Sequence, residues 1–222
     1  HDTLSALFPS QRAHFAAQLA ADLGAIREGM PKRLGINLGR RAAEASLARR
    51  ANDGSAHAEL RVGVEFITQD GAGYWRQDPV SLSPIALGAR WDEVRPFVMR
   101  AARQFRVPPP PPMDSAAYAT AYDEVRALGG DGITTPTLRT PDQTHIGLFW
   151  AYDGTPSLCA PPRLYNQIAM QVADQMGTNA PGLARLLALV NTAMADAGIA
   201  AWESKYYYEF WRPVTGIRES DP

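Results

Sequence analysis

Lys205 and Arg212 are the residues of this chain whose types and spacing point most directly to chemistry. They lie in the stretch Trp202-Glu-Ser-Lys-Tyr-Tyr-Tyr-Glu-Phe-Trp-Arg-Pro213, seven positions apart. On an α-helix seven residues turn through ~700° and rise ~10 Å, so both side chains would leave one face and converge on a small object between them. Two permanent cations set among aromatic rings suit a tetrahedral oxyanion. Arginine presents a planar fork of donors and lysine a compact point charge. Pro213 lacks an N–H and disfavours helix at the residue before it, so the spacing predicts a helix ending at Arg212. A plainer arrangement competes with this one. Glu209 lies four residues after Lys205 and three before Arg212, and could tie both cations into surface ion pairs worth about 0.3–0.5 kcal/mol each.

The remaining chemistry-bearing residues are sparse. The four histidines, His1, His14, His57 and His145, show no metal-ligand spacing, which argues against a self-contained zinc or iron site. His145 sits three residues after Asp142 and is expected on a helix surface. Cys159 is the single cysteine, so neither an internal disulfide nor a cysteine-rich metal site can form within the chain.

These residues must be carried by helices. Apolar residues recur at helical spacing over 10–28, with Ser10 as a cap, over the alanine-rich segment 35–52 ending at Asp53-Gly54, and over 91–105 through Trp91, Val94, Val98 and Phe105. Ser115 opens a helix through Leu128, stopped by Gly129-Gly130. Thr140 or Asp142 caps the segment through Leu148 to Ala151, and another helix follows Pro161-Pro162 to Met176. The last begins near Pro181 and runs to Arg212. Residues 60–88 are irregular, with one short strand expected near Val62 to Ile67. Pro108 to Pro112 form a stiff polyproline II segment, read as a surface strut with docking to a proline-recognising module as the alternative. The reading is all-α, in helical bundles joined by long irregular Pro- and Gly-rich connections.

Composition narrows the classes further. A net charge of −1 over 222 residues offers no concentrated basic surface for nucleic acid. With 45% hydrophobic and 20% charged residues the chain is long enough for a sizeable core. No unbroken apolar run of 18 residues occurs, so no membrane span is expected.

Lys-x6-Arg-Pro resembles the first signature of the phosphatase and haloperoxidase superfamily. Asp196-Ala-Gly-Ile199, Trp202, Lys205 and Glu209-Phe-Trp-Arg-Pro213 look like the fungal-type vanadium chloroperoxidases. A second block is similar as well: Arg139-Thr-Pro-Asp-Gln-Thr144, Gly147-Leu-Phe-Trp-Ala-Tyr-Asp-Gly154 and Pro161-Pro-Arg-Leu-Tyr-Asn-Gln167. The resemblance is strong over 139–217 and weaker toward the N-terminus. It implies a single helical domain over 1–222 that forms the N-terminal part of a larger fold, with 1–136 as the first bundle and 137–222 as the start of the catalytic one.

The same resemblance implies the site. Lys205 and Arg212 would hydrogen-bond vanadate, with phosphate or sulfate as stand-ins, and Lys205 would polarise bound peroxide. Trp202 would line the apolar side of a halide pocket or simply pack in the core. Asp142 would orient an arginine from elsewhere, or cap its helix. A Pro-Ser-Gly-His segment, a later Arg and a vanadium-ligating His are expected in a C-terminal part, joined or cleaved after the polar loop Arg218–Pro222. The implied reaction is oxidation of chloride or bromide by hydrogen peroxide to hypohalous acid. An acid phosphatase and a non-catalytic helical scaffold are the alternatives. Homo-oligomer formation is left open, and the resemblance leans toward a secreted or periplasmic address.

Overall fold

The computed structural model describes residues 1–151 and 161–220, so Cys159 and the end of the Gly147–Gly154 motif lie outside the described residues. The protein is mostly helical. It divides into two compact units, His1–Ala56 and His57–Pro222. The expected division at 136/137 concerns the bundles of a longer fold.

The first unit consists of α1 (Asp2–Leu7), α2 (Arg12–Gly24) and α3 (Met30–Arg50), with α1 packed on both others. Ser10 does not cap α2. It lies in a 3-10 turn over Pro9–Gln11, and Gln11 makes no side-chain cap. The alanine-rich helix starts at Met30 rather than residue 35, with Pro31 at its first turn, where a missing N–H leaves no bond unmade.

In the second unit the expected strand is displaced. Leu60–Arg61 (β1) pairs antiparallel with Ile85–Ala86 (β2), while Val62–Phe66 turns back on itself around Gly63 and the Arg61–Glu65 ion pair. The helix expected over 91–105 is absent. Only two 3-10 turns form there, Trp91–Glu93 and Ala102–Phe105. Pro96 interrupts the segment, and the N–H groups of Phe97, Val98 and Met99 donate to the Asp196 carboxylate at 2.6, 2.8 and 2.9 Å instead of to a helix. The helical-period apolar residues divide accordingly: Val94 and Ala102 are buried against Ile199, whereas Val98 and Phe105 are exposed.

The later helices start at their sequence signals. Ser115 accepts from the Tyr118 N–H to open α4 (Ala116–Leu128). Thr140, not Asp142, caps α5 (Pro141–Trp150), in a reciprocal capping box with Gln143. Helix α6 spans Pro161–Gln175, and Asn179 caps α7 (Ala180–Tyr208). Arg139 closes the C-terminal end of α4, donating to the carbonyls of Leu128 at 2.7 Å and Gly130 at 3.2 Å while its Nε reaches Thr144 Oγ1 at 2.9 Å. The expected polar loop at Arg218 is the last turn of α8 (Pro213–Ser220).

Helix α7 is the longest, and a window of it has mean hydropathy 1.3, enough by length and composition to cross a membrane. The expectation of no membrane span rested only on the absence of an unbroken apolar run. Only 11% of that window is buried, while the polar side chains of α7's second half bond to residues 87–107 of its own unit.

Candidate functional site

The site residues meet where α7 stops, and it stops earlier than its sequence pattern predicts. Glu209 adopts the left-handed conformation (φ 44°, ψ 38°), and its N–H donates to the Lys205 carbonyl at 3.1 Å. Beyond it the chain is extended. Phe210 forms an antiparallel bridge with Tyr74, the Trp211 N–H donates to Gly73 O at 2.9 Å, and the Trp75 N–H donates to Glu209 O at 2.6 Å. Arg212 therefore sits in a short link between α7 and α8, not two turns along a helix from Lys205. The pairing with residues 73–75 takes up backbone groups that a continuing helix would need, and Pro213 then opens α8.

Lys205 and Arg212 still act on one another across this break. Desolvation, with the Arg212 charge second, holds the Lys205 amine below its ordinary pKa. Among the described residues the Lys205 side chain makes no hydrogen bond or ion pair. Its Nζ lies 5.1 Å from the Trp202 ring centroid and 5.4 Å from that of Tyr206. The Glu209 carboxylate pairs with neither cation among the described residues, so the neutralised surface arrangement is not the one adopted.

Buried polar atoms lacking a hydrogen-bond partner concentrate at this place. Among the described residues they are Trp75 Nε1, Arg212 Nε and Thr215 Oγ1, on the segments 73–75 and 209–216 that the backbone bonds bring together. An unsatisfied buried donor costs about 1–3 kcal/mol, more when charged. Trp75 Nε1 and Arg212 Nε can only donate and the Thr215 hydroxyl can do so, while the Asp78 carboxylate lies within electrostatic reach of Arg212 without a hydrogen bond to it. An oxyanion supplies acceptors and negative charge together, whereas a bare metal ion would supply neither. Among the described residues no group of three or more His, Cys, Asp or Glu could hold a metal ion. The donor set fits an oxyanion such as vanadate, phosphate or sulfate.

The aromatic residues around Lys205 are fixed in turn. The Trp202 indole N–H donates to Leu87 O at 2.8 Å, and its ring stacks on Trp91 with centroids 4.9 Å apart. Tyr206 donates its hydroxyl to the same carbonyl at 3.0 Å and meets Phe66 edge-on at 5.5 Å. Burial pushes its phenol up to about 12. The structure thus places Trp202 beside Lys205. Asp142 lies exposed in the first turn of α5, and no hydrogen bond or ion pair joins it to Lys205 or Arg212. His145 is also exposed on α5.

Sequence reasoning missed Tyr206, Thr215 and Trp75. Tyr206 carried a signal, being one residue from Lys205 in an aromatic run. The other two become notable only through their burial.

Fold and site together define a helical protein in which, among the described residues, the buried polar atoms without partners gather around the junction of α7 and α8. Comparison with known proteins places it further. Residues 185–221 match a family model described as the VCPO second helical-bundle domain. A vanadium chloroperoxidase from Curvularia inaequalis is 44% identical over 124 residues, covering 50% of this chain and 20% of that protein. The crystal structure of a bacterial vanadium-dependent iodoperoxidase aligns with TM-score 0.65 and 25% identity, covering 82% of this chain and 44% of the other. The chain is vanadium haloperoxidase-like, resembling the N-terminal part of such a protein. It spans a fifth of the curated relative and less than half of the solved one.

Proposed function

We propose that the protein is a vanadate-dependent haloperoxidase that oxidises chloride or bromide with hydrogen peroxide to hypohalous acid. Its active site is completed by a C-terminal part outside this chain. The observation that carries the reading is a buried arginine Nε without a hydrogen-bond partner among the described residues, in electrostatic reach of a lysine that pairs with no carboxylate among them. The likeness to a vanadium chloroperoxidase and a vanadium-dependent iodoperoxidase supports it.

Lys205 and Arg212 hold the oxyanion. Arg212 contributes directional N–H donors from its planar guanidinium and Lys205 a charge already stripped of part of its water, so neither must reorganise when the anion arrives. Vanadate, when bound, supplies a Lewis-acidic centre at which peroxide becomes electrophilic toward halide without a change of metal oxidation state. With that centre in place, Lys205 would set its positive charge beside a peroxide oxygen. Trp202 presents an apolar wall beside Lys205 and keeps water from that side. Asp142 orients an arginine supplied by the C-terminal part, which also brings the histidine that ligates the metal.

The same cations would serve phosphoryl transfer, whose five-coordinate transition state vanadate resembles. One preparation of the full-length polypeptide should therefore be assayed for monochlorodimedone halogenation and p-nitrophenyl phosphate hydrolysis, with and without vanadate. We expect halogenation that requires vanadate and is lost in Lys205→Ala and Arg212→Ala. Phosphate ester hydrolysis inhibited by vanadate, without halogenation, would assign an acid phosphatase. Neither activity would leave a non-catalytic scaffold.

A further inference from the structure

Lysine is a poor choice for a preorganised charge, because its four-carbon stem gives the amine many positions. In this protein the bonding partners that usually restrict a lysine are absent among the described residues, and the Nζ rests only over the rings of Trp202 and Tyr206, at 5.1 and 5.4 Å. Those rings converge on one backbone atom. Leu87 O accepts the Trp202 indole N–H at 2.8 Å and the Tyr206 hydroxyl at 3.0 Å, which uses both of its lone pairs.

The acceptor is itself immobilised. The next N–H, of Gly88, donates to Glu59 Oε2 at 2.6 Å, and Gly88 O accepts from the Trp91 N–H at 3.0 Å. Ala86, one residue before Leu87, is fully buried in the β1–β2 pair. Gly88 has φ +76°, and a Cβ there would stand 2.1 Å from Trp202 Cδ1, so only glycine allows the peptide to come this close to the indole. The backbone of 87–88 thus fixes two rings, and the two rings bracket one amine.

We propose that Tyr206 and the Leu87–Gly88 peptide are positioning elements for Lys205, acting with Trp202 as a clamp that aims the amine at the oxyanion. The assignment rests on the reading of Lys205 as an oxyanion ligand. It gives Tyr206 a role that the aromatic run alone did not indicate, and it gives Trp202 a second duty beside lining the pocket. The phenol acts through its hydrogen bond, which holds the ring, and is not a proton donor to the reaction. Its pKa of about 12 agrees with that division.

The test uses the full-length polypeptide and the conservative variants Tyr206→Phe and Trp202→Phe, which keep an aromatic face but remove the donor to Leu87 O. Two quantities are read: vanadate affinity by calorimetric titration, and the titration of the Lys205 amine by NMR of isotopically labelled lysine without vanadate. Each single variant is expected to stay folded by circular dichroism, to weaken vanadate binding by about 3- to 10-fold, and to move the Lys205 titration up toward that of a solvated lysine. The double variant should lose more than the product of the singles, because the rings share one acceptor. Gly88→Ala should do the same if it folds. Variants that keep both the affinity and the Lys205 titration within about twofold of the parent overturn the clamp. A parent that binds neither vanadate nor phosphate, with the Lys205 titration still moving in the variants, overturns the oxyanion reading and leaves the clamp standing.

Discussion

The two halves of α7 lie on one continuous helix and are held in opposite ways. From Ala180 to Ala195 the side chains are largely aliphatic, the helix packs on α6, and its polar link to that helix is the reciprocal amide pair of Asn166 and Asn191, at 2.8 and 2.9 Å. From Asp196 to Tyr208 nearly every polar side chain is committed to residues 87–107. Asp196 accepts three backbone N–H groups, Glu203 pairs with Arg106, Ser204 Oγ accepts from the Val107 N–H at 3.3 Å, and Tyr208 donates to Val107 O at 2.7 Å. Lys205 is the conspicuous exception. A helix can slide or rotate where it is held only by apolar contact, but not where it supplies the hydrogen-bond partners of an irregular segment. Position is thus specified most tightly in the half that carries Lys205.

The strongest way to break this contrast is Asp196→Ala. The carboxylate is 6% exposed and is the acceptor for Phe97, Val98 and Met99, so its loss strands three donors at once. We expect a destabilisation of about 3–5 kcal/mol, read as a shift of the urea midpoint. A loss below about 1 kcal/mol would show that segment 97–99 holds its shape unaided. Glu203→Gln comes next. Glu203 is 5% exposed while the Arg106 side chain keeps 27% of its exposure and stacks on Tyr207 at 3.4 Å, so Arg106 retains water and a ring as partners. That discounts the cost to about 1–3 kcal/mol in the same measurement.

The contrast also explains what could be read from the sequence. The starts of the later helices were legible, because Ser115, Thr140 and the flanking prolines act within one turn of themselves, whereas Ser10 and the start of α3 were misread. The stop at Tyr208 was not. It is set by a bridge from Phe210 to Tyr74, a partner 136 residues earlier in the chain, against a local pattern that continues the helix. The same blindness produced the false helix over 91–105, whose apolar spacing is helical while its backbone donors go to Asp196. At the site, Lys205 and Arg212 were legible as residue types in a short motif. The expected arrangement, one face of one helix, is not the one found: a break and an extended link lie between them, and they interact electrostatically across it. Leu87 and Gly88 were invisible, because their contribution is a carbonyl and a positive φ rather than a side chain.

Lys205 sharpens the comparison with the opposite sign. Its amine is desolvated and unpaired among the described residues, so its folded-state pKa lies below 10.5. A base with a lowered folded pKa weakens the fold wherever it is charged. The penalty is fully present below the folded pKa and fades as pH rises from there toward 10.5. Lys205→Met should therefore match or exceed the parent at pH 7, by up to about 1 kcal/mol, with the gain vanishing above pH 10. Tyr206, present in both proteins, weakens the fold increasingly as pH rises from its ordinary value toward about 12 and fully above that, so the comparison is cleanest below pH 10. Thermal melts of both proteins across pH 6–10 check this. A variant less stable than the parent at pH 7 would mean that Lys205 has a partner here.

Asn191→Leu is expected to have the smallest effect and probes the other half of α7. The amide pair with Asn166 is solvent-exposed, and Asn191 also bonds back to Leu187 O at 2.8 Å, as Asn166 does to Pro162 O at 2.7 Å. Exposed neutral hydrogen bonds compete with water, and leucine has the better helix propensity, so stability should change by less than about 0.5 kcal/mol in either direction. What the substitution removes is register. The reciprocal amides fix which turn of α6 meets which turn of α7, whereas aliphatic contacts tolerate a shift by one turn. Amide hydrogen exchange along α6 should quicken while exchange over 196–208 stays as in the parent, because the second half is held from residues 87–107. If exchange rises equally along all of α7, the two halves are one cooperative unit, and the aiming of Lys205 depends on α6 as much as on Leu87.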